Sequence, residues 1–87
     1  MSARIKLSQV FKLLADNQET IQVNGNTIRE CLDELIRRYP AARNWIFDKD
    51  TLISLILLNG KTLQPQDLDT RVTETDEIYL LTMISGG

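Results

Sequence analysis

Apolar residues recur on two periods along this chain, and the changes of period mark its elements. In "RIKLSQVF", Ile5 and Leu7 alternate with polar neighbours, the period of two of a half-buried strand. Asp16, Asn17 and Gln18 interrupt that pattern, and in "ETIQV" Ile21 and Val23 restore it. The two runs together predict an N-terminal hairpin with a long loop.

The period then lengthens. Ile28, Cys31, Leu32, Leu35, Ile36 and Tyr39 follow one another at spacings of three and four, the apolar stripe of a helix. Thr27 followed by Glu30 is a capping box, in which a hydroxyl and a carboxylate satisfy backbone N–H groups left free at a helix start. Asp33 with Arg37, and Glu34 with Arg38, stand at the favourable i,i+4 spacing on the opposite face. Pro40 disfavours helical geometry at Tyr39 and predicts the stop there. Burying the five large side chains of the stripe contributes about 8–15 kcal/mol before entropy is subtracted, so the helix should pack on a sheet.

"TLISLILLNG" is apolar at nearly every position and predicts a central strand with both faces covered, with Asn59-Gly60 as the turn that follows. "KTLQPQDLDTRV" reads as loop with a short strand near Arg71 and Val72, "TETD" as a turn, and 77–83 as a last strand. The resulting order is ββαββ, an α+β arrangement with one main helix laid across a mixed sheet. Trp45 and Phe47, between helix and central strand, are expected to close the end of the core rather than to form an exposed contact.

Composition narrows the function. With 87 residues, 43% apolar and 25% charged, the chain reads as a single ordinary globular domain. A net charge of -2 and the lack of any Lys/Arg-rich stretch argue against nucleic acid. The longest apolar run, Leu55 to Leu58, is far short of the roughly 20 residues that span a bilayer, and the first residues have no signal-peptide pattern. One cysteine fits a reducing cytoplasm, the expected location.

Side-chain chemistry is sparse. The chain contains no His, which removes the commonest general base and the commonest metal ligand. Cys31 lies within the apolar stripe and reads as a buried, inert thiol rather than a nucleophile. Gly25 and Gly60 open no phosphate-binding loop. Asp67, Asp69, Glu74, Asp76 and Glu77 form an acidic stretch opposed only by Arg71 and read as a solvated face, with a docking surface for a basic groove as the alternative. Neither a catalytic residue nor a metal site is expected on this chain.

What remains is the ending, "LLTMISGG". A Gly-Gly pair at a terminus is expected in roughly one chain in 200 from average composition. Glycines have no Cβ to clash with the walls of a tunnel and adopt whatever backbone geometry a site demands. Five extended residues, 83–87, reach at most roughly 17–18 Å. Such a tail suits capture by another protein.

Two strands, a helix opening at "NTIRECLDELIRRYP", a strand ending in "ILLNG", the turn and strand "TETDEIYLL", and a final "ISGG" together resemble the ubiquitin-like sulfur-carrier family, the ThiS and MoaD group, over essentially the whole chain. The resemblance implies a ubiquitin-like β-grasp domain over 1–82 followed by a flexible tail over 83–87. It implies that the Gly87 carboxylate is adenylated by a ubiquitin-activating-type enzyme using ATP and magnesium, then converted to a thiocarboxylate that delivers sulfur to an accepting synthase. Carried onto this sequence, Gly87 is the point of attachment, and Met83, Ile84, Ser85 and Gly86 are the residues recognised beside it. The chain itself would bind no cofactor, and neither nucleic acid nor membrane is an expected partner.

The insert "RRYPAARNWIFDKD" sets the chain apart from shorter thiamin-branch carriers. It is similar to CysO-type carriers of cysteine synthesis, which "VFKLLADNQETIQVNGNTI" and "FDKD" favour, and to the small subunit of molybdopterin synthase. A ubiquitin-like protein modifier and an unmodified interaction module are the alternatives of other classes. Thr75 stands where many members carry Gly, so the tightness of that turn is a point of difference. Thr82 and Met83 stand where many carry Pro or a small residue, which leaves partner choice open.

Overall fold

The computed structural model describes residues 2–8 and 10–82. Its framework is a five-stranded mixed sheet built from β1 (Ser2–Leu7), β2 (Thr20–Asn24), β5 (Ser54–Leu58), β6 (Lys61–Thr62) and β7 (Glu77–Thr82). The strand order is β2-β1-β7-β5-β6, with β1 and β7 parallel and the remaining pairs antiparallel. One main helix, α2 (Ile28–Arg38), packs across it, the ubiquitin-like β-grasp arrangement of an α+β fold.

The cap of α2 forms as the sequence predicts, with one shift. Thr27 Oγ1 accepts from the Glu30 N–H at 3.1 Å, while the Glu30 carboxylate reaches back to the N–H of Asn26, one residue before the cap, at 2.8 Å. Backbone carbonyls of the loop beyond β6 take the next free donors, Ile28 N–H to Thr70 and Arg29 N–H to Leu68. The loop is thereby stitched onto the helix start, and Arg71 forms a lone bridge with Thr27 in place of the expected short strand. Ile28, Cys31, Leu32 and Leu35 are buried and Ile36 and Tyr39 pack beside them, so the stripe faces the sheet.

Several expectations are corrected. The long loop of the N-terminal hairpin contains a short helix, α1 (Val10–Leu14), which buries Phe11. Arg37 pairs with Glu34 rather than with Asp33, and Arg38 shares the same carboxylate at 3.2 Å. The strand from "TLISLILLNG" is interrupted at Ile53 into β4 (Thr51–Leu52) and β5, and β5 flanks the centre of the sheet while β7 occupies it. Only one face of β5 is covered: Ser54 and Ile56 are buried, but Leu55 and Leu57 are half-exposed. Among the described residues the main helix covers only the face to which Ile56 belongs.

The segment after α2 folds as a 3₁₀ turn (Pro40–Ala42), a one-turn helix α3 (Arg43–Ile46) and a small separate hairpin of β3 (Phe47–Asp48) with β4. Here Ile46 closes the core and Phe47 packs partly against it, whereas Trp45 is 46% exposed. The expectation for Trp45 is overturned because, on so short a helix, Ile46 occupies the inward direction. The acidic stretch also has partners that sequence did not show. Asp69 pairs with Arg29 at 3.1 Å and Glu77 with Lys6 at 3.9 Å, while Asp67 caps the 3₁₀ turn Pro65–Asp67 through the Gln64 N–H. Asp67 and Asp69 thus fasten the loop beyond β6, and Glu77 ties β7 to β1, in addition to facing solvent.

Candidate functional site

The residues expected to carry the chemistry, Met83, Ile84, Ser85, Gly86 and Gly87, lie outside the described residues. What the structure supplies is the platform from which they follow. The strand leading to them, β7, is held along both edges. Ile78 and Leu80 register with Ile5 and Leu7 of β1 on one side and with Leu58 and Ile56 of β5 on the other. Ile78 and Leu80 are fully buried, so the strand is anchored by its inward side chains up to two residues short of Thr82.

The outward side chains of the same strands divide the other face of the sheet in two. Leu55 lies opposite Leu81 and Leu57 opposite Tyr79, giving an apolar quartet whose members are half-exposed or, for Tyr79, 36% exposed. Beside it, Arg4, Lys6 and Glu77 make a charged half, with Lys6 opposite Tyr79 in the parallel register. Cross-strand neighbours on one face are about 4.5–5.5 Å apart, so the quartet is continuous. It sits on β7 and its neighbour, beside the point where residues 83–87 begin. The apolar run of β5 held the sequence signal for this surface, since a strand apolar on both faces under one helix must leave one face to solvent.

The turns at the far end of the sheet are closed by polar contacts. Asn59 (φ 51°) and Gly60 (φ 88°) form the two-residue loop between β5 and β6, where positive φ favours these residue types. The Asp76 carboxylate accepts from the Thr73 N–H at 2.8 Å and from the Asn59 amide at 3.0 Å, and the Glu77 N–H donates to Asn59 Oδ1 at 2.9 Å. These donors, the Asn59 amide first and the Thr73 N–H next, hold the Asp76 carboxyl below its ordinary range. Thr75 is not in the left-handed region, so this turn closes without the glycine that many relatives carry.

Reactive side chains are few. Cys31 is fully buried beneath the sheet, and burial, followed by the negative charge of Glu30, pushes its thiol up to about 11. Among the described residues, no group of three or more His, Cys, Asp or Glu is placed to hold a metal ion, and no helix is long and apolar enough to cross a membrane. The geometry offers a partly exposed apolar face and, beside it, the strand that leads to residues 83–87.

Comparison with known proteins bears on both parts. The chain is similar to small archaeal modifier protein 1 from Methanosarcina acetivorans, with 27% identity and a TM-score of 0.86 over 99% of this chain and 96% of that one. It is equally similar to small archaeal modifier protein 1 from Haloferax volcanii, with 27% identity and a TM-score of 0.83 over 100% of both chains. The CysO of the Amycolatopsis orientalis BexX/CysO complex shares the fold, with 15% identity and a TM-score of 0.83 over 98% of this chain and 99% of that one. No curated protein sequence gives a significant match. The sequence model of the ThiS family matches residues 5–87, nearly the whole chain, and the protein therefore belongs to the ThiS family of small ubiquitin-like carrier and modifier proteins, which are not themselves enzymes.

Proposed function

We propose that this chain is a sulfur carrier of the cytoplasm, working through the α-carboxyl group of Gly87. One observation carries the reading: the family match spans residues 5–87, so Gly86 and Gly87 fall inside it. A carboxylate is a poor electrophile. In the proposed cycle a ubiquitin-activating-type partner brings ATP and magnesium, and a Gly87 carboxylate oxygen attacks the α-phosphorus as pyrophosphate leaves. Sulfide then adds to the acyl carbon and AMP departs with the C–O bond's electrons, leaving a thiocarboxylate. The accepting synthase takes that sulfur, and the carboxylate is restored.

In this scheme the Leu55, Leu57, Tyr79 and Leu81 face is the surface the partners hold, and Met83, Ile84, Ser85 and Gly86 line the way into their active sites. The insert at 37–50 suits both a CysO-type carrier and the small subunit of molybdopterin synthase, and the segments "VFKLLADNQETIQVNGNTI" and "FDKD" favour the CysO-type acceptor. A second reading has its own support. The similarity to two archaeal modifier proteins at 27% identity favours transfer of the activated Gly87 to a lysine amine of another protein.

Intact mass after incubation with the activating enzyme, ATP and a sulfur donor separates the readings. Exchange of one oxygen for sulfur is the expected result, and covalent adducts to other proteins would move the assignment to the modifier. An unchanged mass would remove both. Deleting Gly87 should abolish loading while leaving the melting temperature within about a degree, since a glycine has no side chain to bury; a large loss of stability refutes the division between platform and tail.

A further inference from the structure

A charged pocket on the helical side of the molecule has no part in that cycle. It encloses about 280 Å³ and is lined by Arg29 and Asp33 of α2, Arg43 of α3, Phe47 of β3, and Lys49 and Asp50, the two-residue loop between β3 and β4. Three cations and two carboxylates leave it locally positive on a chain whose net charge is -2. The charges are not spent on one another. Arg29 turns its Nε to Asp69, which is not in the lining, and the ion pairs among the described residues include neither Arg43 nor Lys49.

Two local features hold this arrangement in place. The Arg43 guanidinium stands 5.9 Å from the centre of the Phe47 ring and donates to the Lys49 carbonyl at 3.4 Å, fixing the hairpin loop to α3. Lys49 itself has φ 58°, a left-handed conformation that costs an ordinary L-residue and would suit Gly or Asn. The two-residue loop between β3 and β4 requires that positive φ, so the hairpin itself fixes where Lys49 stands. A lysine kept there, beside two arginines, puts a third donor at one small cavity.

We propose that this pocket binds a small phosphate ester carrying hydroxyl groups. Arg29, Arg43 and Lys49 take the phosphate oxygens, the fork of Arg giving paired hydrogen bonds and Lys a point charge. Asp33 and Asp50 accept hydrogen bonds from the hydroxyls, and the Phe47 ring covers the carbon skeleton. A bare phosphate would leave both carboxylates facing a dianion. The volume lies just below the roughly 300 Å³ at which pockets for drug-sized ligands begin, which favours a short phosphorylated polyol over a nucleotide.

The test uses the full chain, followed by amide chemical shifts during titration with glycerol phosphate or with inorganic phosphate at constant ionic strength. Glycerol phosphate should produce saturable shifts at Arg43, Phe47, Lys49 and Asp50. Lys49→Gly should weaken binding about tenfold, the effect of losing one charge-assisted contact, with an unchanged or higher melting temperature, while Lys49→Arg retains binding. Shifts that stay linear with concentration, or a Lys49→Gly variant that binds as well as the parent, would overturn the site. Equal affinity for inorganic phosphate would overturn the roles given to Asp33 and Asp50.

Discussion

Replacing Asp76 by alanine should destabilise the domain although the residue lies in a surface turn. Its carboxylate accepts from the Thr73 N–H at 2.8 Å, from the Asn59 amide at 3.0 Å and, more weakly, from the Thr73 hydroxyl at 3.4 Å. Asn59 in turn exchanges two hydrogen bonds with the Glu77 backbone, each 2.9 Å, so one carboxylate ties the β5–β6 loop to the start of β7. Hydrogen bonds to a charged group contribute about 1.5–3 kcal/mol each when buried. Asp76 is half-buried and its donors can turn to water, so the two good bonds together are worth about 1–2 kcal/mol. For a domain of this size that lowers the melting temperature by about 5–12 °C.

The pH dependence fixes the mechanism. The Asn59 amide and the Thr73 N–H hold the native carboxyl below its ordinary value, so the unfolded chain binds the proton more readily. The stabilisation is complete above the unfolded Asp pKa of about 3.9 and disappears as the pH falls through the lower native value. Urea unfolding of the parent and of Asp76→Ala should therefore diverge at neutral pH and converge in acid. Asp76→Asn, which keeps one acceptor oxygen, should fall between them. A loss under about 0.5 kcal/mol at neutral pH, or a gap that widens in acid, refutes the reasoning. Under the carrier reading sulfur loading should be untouched, because the six residues of β7, five steps of about 3.4 Å, carry the strand about 17 Å away from this turn.

Two further outcomes follow from the packing. A Cβ on Gly25 would come within 2.8 Å of the Cys31 backbone nitrogen and 3.0 Å of its Sγ, so Gly25→Ala should cost about 1–3 kcal/mol in urea unfolding, and an unchanged midpoint would show that α2 can move aside. Cys31 should resist thiol reagents in the native state and react on unfolding. Because its native pKa of about 11 exceeds the ordinary 9.0, its contribution is complete below pH 9 and is lost as the pH rises towards 11. The stability difference between the parent and Cys31→Ala should narrow over that interval, and a constant difference would deny the shift.

The parts of this fold that were legible in sequence are those fixed by local chemistry. Thr27 and Glu30 cap the helix wherever it packs, and Asn59-Gly60 bends the chain because few other pairs accept two positive φ values. Elements decided by partners distant in sequence were not legible. The five-residue α1 is too short to show a helical period and exists because Phe11 has a core to enter. Trp45 is exposed because its neighbour Ile46 takes the inward position, and nothing in the local spacing of so short a helix says which of the two will do so. The apolar outward residues of the run through Leu58 imply a covered, central strand, whereas in the fold they form the half-exposed face beside Thr82. The pocket is assembled from Arg29 and the 43–50 segment, which only the folded chain brings together.

Placing β7 in the middle of the sheet has a consequence for how a partner must read this protein. A strand paired on both edges is among the last to open, and β7 is so paired through Leu80, with Leu81 and Thr82 still held by β5. From Thr82, residues 83–87 extend at most roughly 17–18 Å. Under the carrier reading, any active site that reaches Gly87 must therefore lie within that distance of Thr82. Leu81 stands immediately before Thr82 and Leu55 directly across from Leu81, so a protein close enough to work on the carboxyl is also close enough to cover the apolar quartet. The docking face and the acyl end then act as one recognition unit. A Leu57→Asp substitution on that face should weaken loading through a higher KM for the carrier with little change in kcat, because it alters holding and leaves the carboxyl as it was.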